Sequence, residues 1–335
     1  MKTSKNHDAF NDKSIKVPFF KPYITKDDQN AVKNALTRTL LTDGPILREF
    51  ESNFSKYTNS KFAIGVSNAT SALQLSLKSL GIGKKDEVII PDMTFVATGN
   101  AVLNSGAIPV IVDVNQNDLN ISLNSIEENI TSKTKAIIPV HFAGKICEIV
   151  KIKKIAKNHN LILIEDCAHA IGAKFANKHV GNFGDTGCFS FYPTKNITTI
   201  EGGMVICNSK NLSTKITSFR NHGITRSLKQ RFSKGKPWDY DEIEPGYNFR
   251  LDEIRASLGI SQLKRILQLN RLRKSACEYY NFKLKNINGI QTPEISKSDD
   301  NVCHLFIIKI QKQFSISRDK LFRKLLEAGI RTSVH

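Results

Sequence analysis

Four polar features of this 335-residue sequence combine residue types that can do chemistry. Ser67-Asn68-Ala69-Thr70 places small and hydroxyl residues just ahead of the helical pattern SALQL. Free N–H groups and the dipole at such a helix start hold a phosphate or another anion, and the same residues also make an ordinary N-cap. Glu165-Asp166 ends the apolar run LILI. A carboxylate there calls for a cation or a protonated ring nearby, or for a structural salt bridge. Lys195, in FSFYPTKN, stands in a stretch with few other charges. A lysine held among apolar groups loses basicity and becomes an amine nucleophile. Ser190 alternates along the run before it and is within reach of a phosphate.

The elements that must position these residues alternate regularly. Apolar, β-branched runs predict strands over 62–66, 87–91, 108–114, 136–140 and 161–166, followed by closely spaced strands at 187–192 and 203–207. Helical patterns fall between them, near 69–80, 98–105, 122–129 and 147–158, after two earlier helices near 27–40 and 46–57. Short buried strands separated by helices indicate a parallel sheet covered on both faces, an α/β fold. In such sheets ligands gather outside the carboxyl ends of the strands, where all four polar features fall. From about residue 246 the character changes to one long helical stretch over 251–284, a strand at 304–310 and a helix near 319–328. The expected organisation is a polar mobile tail over 1–14, a large α/β domain over 15–245 and a smaller α+β domain over 246–335.

Bulk composition excludes several classes. With 40% apolar and 24% charged residues the chain is neither disordered nor fibrous. No apolar run reaches the ~18 residues of a membrane span, and the polar N-terminus lacks a secretory h-region. A cytoplasmic protein is expected. Lys and Arg total 49 against 31 Asp and Glu, a net charge of +18. Such a field attracts polyanions, but the basic residues are dispersed and no aromatic-interleaved basic block or zinc-finger string occurs. A solvated lysine-rich surface, or an anionic small substrate, accounts for it, and a nucleic-acid partner is not expected. The cysteines at 147, 167, 188, 207, 277 and 303 form no CxxC pair, so small buried thiols are expected and no metal site. No GxGxxG opens the helix after the first strand and no GxxxxGK[ST] occurs, which argues against a nicotinamide or P-loop enzyme.

A phosphate cradle, an aspartate and a downstream lysine are the parts that a pyridoxal phosphate (PLP) site requires. The strings LTDGPILREFE, SNATSALQLSL, PDMTFVATGNA, PVHFAG, IEDCAHAIGA, GDTGCFSFYPTKN, EGGMV, FRNHG, GYNFRLDEI and HLF occur in that order from Thr42 to Phe306. This series resembles the DegT/StrS-type PLP-dependent sugar aminotransferases, of the aspartate aminotransferase fold (fold type I). The resemblance implies that Lys195 forms the Schiff base with PLP and moves protons as general base and acid. It implies that Asp166 pairs with the pyridine nitrogen and that His169 lies near the ring and its phenolic oxygen. Phe95 would stack on the ring, Ala69, Thr70 and Ser190 would bind the phosphate, and Asn248 would reach the phosphate of a neighbouring subunit in a homodimer with shared sites. For His169 a structural role, and for Phe95 a place in the core, stand as alternatives.

The reaction implied is transfer of an amine from glutamate or glutamine to a keto sugar, usually linked to a nucleoside diphosphate. Sugar-dehydrating relatives resemble this family but carry histidine in place of the Schiff-base lysine, and Lys195 favours transamination. A catalytically impaired PLP-fold regulator or nucleic-acid binder is the non-enzymatic alternative. Two departures stand out. Ile200 replaces the glycine usual before EGG, and since isoleucine resists φ > 0 a locally different loop is expected after Lys195. The sequence also stops at His335, inside a motif that the family continues, so an incomplete small domain is expected.

Overall fold

The computed structural model describes residues 14–224, 238, 240–242, 244–296, 298 and 300–335. Almost all of the expected mobile tail lies outside the described residues. A seven-stranded sheet organises the chain, built from β1 (Phe62–Val66), β2 (Glu87–Pro91), β3 (Ile108–Val112), β4 (Thr134–Ile137), β5 (Ile162–Asp166), β8 (Thr186–Ser190) and β9 (Gly203–Cys207). Their spatial order is β1-β9-β8-β5-β4-β2-β3. Only β9 runs against the others, pairing antiparallel with β1 and β8, and the remaining pairings are parallel. A short ribbon, β6 (Lys174–Phe175) with β7 (Lys178–His179), lies between β5 and β8 in the chain.

Two layers of helices cover the sheet because its central strands are apolar on both faces. On one face Leu73, Leu75 and Leu77 of α3 (Ala69–Ser79), Val102 of α4 (Ala97–Asn104) and Ile216 of α7 (Lys210–Arg220) pack with Val66, Ile90 and Val205. On the other face Phe50 and Phe54 of α2 (Pro45–Thr58) and Ile126 of α5 (Leu123–Glu128) pack with Ile137, Leu163 and Phe189. Ile152 of α6 (Ile149–Asn158) joins the same layer.

Local chemistry sets the helix ends. In α1 (Lys26–Leu36) Thr25 and Asp28 form a reciprocal capping box. Helix α2 begins at Gly44-Pro45 and is capped from a distance by the buried Glu253. Its carboxylate accepts from the N–H groups of Gly44 (2.8 Å), Ile46 (2.8 Å) and Leu47 (3.0 Å). A side chain at Gly44 would push that carboxylate off its three donors.

Two expectations for the C-terminal region need correction. The stretch over 251–284 is two helices, α8 (Glu253–Leu263) and α9 (Ile266–Leu284). Arg265, at φ −107° and ψ 4°, breaks them, and its guanidinium bonds the buried Asp28 at 2.6 Å. The run 304–310 is paired only at β11 (Lys309–Ile310), against β10 (Ile290–Gln291). Its first residues spend their N–H groups elsewhere: His304 (2.9 Å) and Leu305 (3.2 Å) both donate to the Ala143 carbonyl. Helix α10 (Arg318–Glu327) follows, started by its cap Ser317.

Candidate active site

The carboxyl ends of β1, β5 and β8 meet at one edge of the sheet. Register places Val66 opposite Gly203 on one side of β9 and Ser190 opposite Gly203 on the other. Gly203 is obligatory, since a Cβ there would sit 2.5 Å from the Asn68 carbonyl carbon. This close approach sets the first turn of α3 beside the end of β8. Asn68 caps α3 by accepting from Ser71 N–H at 2.8 Å. Ala69 and Thr70 open the helix, where N–H groups have no intrahelical acceptor. Ser190 is buried, and its hydroxyl accepts a long bond from Tyr192 N–H at 3.4 Å. Ala69, Thr70 and Ser190 thus share one anion-ready corner.

Asp166 closes β5 and is buried. Its Oδ1 accepts from Ala168 N–H (3.1 Å) and its Oδ2 from the Thr98 hydroxyl (3.0 Å). Burial raises its pKa from the ordinary carboxyl value, and these two donors and Lys195 offset part of the shift. Lys195 lies in the loop between β8 and β9. Burial lowers its amine to about 8, against the attraction of Asp166. Near pH 7.4 about one fifth of such an amine is neutral, against about a thousandth of an ordinary lysine.

His169 is buried, and its Nδ1 accepts from Ala143 N–H at 3.3 Å. With Nδ1 accepting, the neutral ring carries its proton on Nε2. Burial, with Lys195 and His335 nearby, holds its pKa well below the usual imidazole value. The His304 ring lies 4.4 Å from the His169 ring, and Phe142 is 6.0 Å away.

Two assigned residues lie on the surface. Phe95 is 65% exposed on the turn between β2 and α4, so its alternative placement in the core is wrong. Asn248 is exposed on a segment whose Arg250 bridges Val66 at the end of β1. Ile200 also departs from expectation, because it adopts φ +71° despite its branched side chain. The loop therefore keeps a left-handed backbone at this position, and Ile200 N–H donates to the Thr198 hydroxyl at 2.9 Å.

The structure adds four residues with no expected role: Thr98, Asn196, Arg273 and His304. Thr98 stands four residues after Thr94, and the two hydroxyls lie 2.8 Å apart, so Thr94 can support the donor to Asp166. That i, i+4 spacing in TFVAT was the available signal. Asn196 directly follows Lys195 and is buried, holding Asn270 Oδ1 (2.7 Å) and the Val302 carbonyl (3.3 Å). The contacts of Arg273 and His304 come from distant parts of the chain and left no local signature.

The donor set fits PLP. A buried carboxylate suits the pyridine N–H, a low-pKa amine suits the aldehyde carbon, and the Nε2–H of a neutral imidazole suits a phenolic oxygen. The start of α3 with Ser190 suits the phosphate.

Known proteins resemble this chain in sequence and in fold. The chain is 35% identical over 321 residues to the spore coat polysaccharide biosynthesis protein SpsC of Bacillus subtilis, covering 95% of this chain and 82% of that protein. The putative sugar aminotransferase Spr1654 of Streptococcus pneumoniae, solved in its PMP form, superposes with a TM-score of 0.88 at 29% identity, covering 95% of this chain and 85% of that one. The GDP-4-keto-6-deoxy-D-mannose-3-dehydratase of E. coli, solved with bound hydrated PLP, superposes with a TM-score of 0.87 at 28% identity, over 95% and 84% of the two chains. Fold alone therefore does not separate the two reactions. The family model for the DegT/DnrJ/EryC1/StrS aminotransferases matches residues 22–335, and the chain belongs to this family of PLP-dependent sugar aminotransferases with the type I fold.

Proposed function

We propose that the chain transfers an amine from glutamate or glutamine to a keto sugar linked to a nucleoside diphosphate, using PLP bound covalently through Lys195. The observation that carries this reading is the place of Lys195, a half-buried amine in electrostatic contact with the buried Asp166, an environment that lowers its pKa to about 8. It also favours transamination over dehydration, because the amine can bond the cofactor and then take and return a proton on Nζ near neutral pH. Bound PLP supplies the electron sink that makes the donor's Cα–H acidic. Asp166 holds the pyridine N–H, while Thr98 and Ala168 fix the carboxylate in place. His169 donates from Nε2 to the phenolic oxygen. Ala69, Thr70 and Ser190 hold the phosphate, and Phe95 covers the ring face.

The net charge of +18 suits a diphosphate-bearing substrate. The reading is completed by a homodimer in which Asn248, exposed beside β1, reaches the partner's phosphate. Residues 15–245 are read as the PLP-binding domain and 246–335 as the smaller domain, with α8 packed back on the large domain through Ala256 and Ile260. No helix among the described residues is long and apolar enough to cross a membrane. The cytoplasm, where nucleotide sugars are made, is the proposed place of action.

The test is the visible absorption of the chain with PLP, before and after adding glutamate and then glutamine. A yellow adduct that bleaches with one donor establishes the half-reaction and names the donor. An adduct that bleaches with neither overturns the donor assignment, and no adduct overturns the reading as a whole.

A further inference from the structure

Lys195 lies in the loop spanning 191–202, so its side chain is only as fixed as the backbone that carries it. Within the loop, Lys195 N–H donates to the Tyr192 carbonyl and Thr199 N–H to the Phe191 carbonyl, both at 2.9 Å, whereas the carbonyls of Thr194 and Lys195 are held from outside it. The guanidinium of Arg273, on α9, donates through Nη2 to the carbonyls of Thr194 and Lys195, both at 3.4 Å. Through Nη1 it donates to the carbonyl of His304 at 3.3 Å. Among the described residues no carboxylate forms an ion pair with it. One turn earlier on α9, Asn270 bonds the Asn196 side chain (2.7 Å) and the Ile171 carbonyl (3.0 Å). The circuit closes where His304 Nδ1 meets Asn196 Oδ1 at 3.2 Å. Asn196 Nδ2 is already donating, so Oδ1 is the acceptor and His304 carries its proton on Nδ1.

We propose that Arg273 is a positioning residue for Lys195: its planar fork fastens the backbone of the catalytic loop to α9 and to the segment bearing His304. Three carbonyls in two segments need several donors in a fixed plane, which guanidinium provides and ammonium does not. The circuit makes α9 the common support of both loops that carry the chemistry, residues 194–196 through Arg273 and Asn270, and the His169 loop through Asn270. The groups that interact electrostatically with Lys195 are Asp166, His169, His304 and His335. Arg273 contributes its hold on the backbone beneath them. The inference rests on Lys195 being the cofactor lysine.

The experiment is competitive trace acetylation of the cofactor-free chain across pH, reading Lys195 by peptide mass spectrometry. In the parent chain the midpoint should fall near 8. In Arg273→Met the lysine should loosen toward water and its midpoint should rise by about one unit or more, toward the ordinary lysine value. Arg273→Lys, which keeps the charge but not the fork, should show the same rise and serves if the methionine variant does not fold. Circular dichroism of bound PLP should weaken in both variants, because it reports how the ring is held. A folded variant whose Lys195 midpoint and PLP dichroism match the parent overturns the proposal, even if the variant melts earlier. Full recovery by lysine overturns it too. Absence of a borohydride-trapped PLP adduct on Lys195 of the parent chain is a separate failure, that of the cofactor reading.

Discussion

Glu165 and Asp166 are consecutive carboxylates that leave β5 on opposite faces of the sheet. Strand alternation sends them apart, Glu165 in register with Gly187 and Asp166 with Cys188. Glu165 is fully occupied: it accepts from the N–H groups of Gly181 (2.8 Å), Phe183 (2.6 Å) and Gly184 (2.7 Å), and it meets His141 Nε2 at 3.1 Å. It bolts the chain before β8 to β5 and so fixes where Ser190 ends. Asp166, with two donors, keeps acceptor capacity for a cofactor. The two halves of the ED dipeptide therefore divide into a structural and a chemical carboxylate.

Replacing Thr98 by valine should impair the site without disturbing the fold, since the two side chains are nearly isosteric. Losing one donor to a buried carboxylate costs about 1–3 kcal/mol, so kcat/KM for sugar amination should fall roughly ten- to hundredfold. Thr98 lowers the pKa of Asp166, so its removal should raise that pKa further. A protonated Asp166 cannot serve a positively charged ring, and the acid limb of the pH–rate profile should move to higher pH. Steady-state kinetics across pH check this, and an unmoved acid limb would refute the assignment.

The low basicity of Lys195 sets the pH dependence of cofactor capture. Only the neutral amine attacks an aldehyde, and its pKa is about 8. Mixing PLP with the cofactor-free chain should give a rate that falls about tenfold per pH unit below 8 and levels off above it. A midpoint near 10 would show that the amine is not desolvated in solution. Lys195→Ala should lose all borohydride-trapped PLP while its thermal unfolding stays close to that of the parent chain.

Much of this site was legible in the sequence because its parts sit at strand ends, where local pattern and chemistry coincide. The run FAIGV became β1 over the same residues, and SNAT became the start of α3. Asp166 closes β5 where the strand was expected to end, and Ser190 closes β8 two residues before the expected end at 192. What escaped notice was held by non-local bonds. The break between α8 and α9 depends on Arg265 reaching Asp28, some 237 residues earlier in the chain. The run 304–310 resembles a strand by composition, yet the N–H groups of His304 and Leu305 at its start are taken by the Ala143 carbonyl. Arg273 is one basic residue among many in RLRKS until the fold sets it against Lys195.

Asn248 gives a test of shared sites. Co-expressed chains, one Asn248→Ala and the other Lys195→Ala, should form mixed dimers with one intact site. If Asn248 acts across the interface, the chain retaining Lys195 meets an unaltered Asn248 from its partner and traps PLP with parental affinity. If Asn248 acts within its own chain, no site is intact, and PLP binding in the mixed dimer should be weaker by roughly tenfold or more, the loss of a charge-assisted hydrogen bond. Borohydride trapping followed by mass analysis of each chain separates the outcomes.

Ile200 provides a prediction about stability. A branched residue at φ +71° carries about 1–2 kcal/mol of backbone strain that glycine would not. Against this, glycine loses about 0.5–1 kcal/mol more conformational entropy on folding. The side chain is 58% exposed, so little packing is forfeited. The balance favours Ile200→Gly by about 1 kcal/mol, which in a chain of this size raises Tm by about 2 °C. Ile200→Ala removes only the β-branching and should gain less. Denaturant titration of the cofactor-free chain decides the matter. If the glycine variant is no more stable than the parent, the strain at Ile200 is offset by packing in solution, such as burial of its exposed side chain against a second subunit.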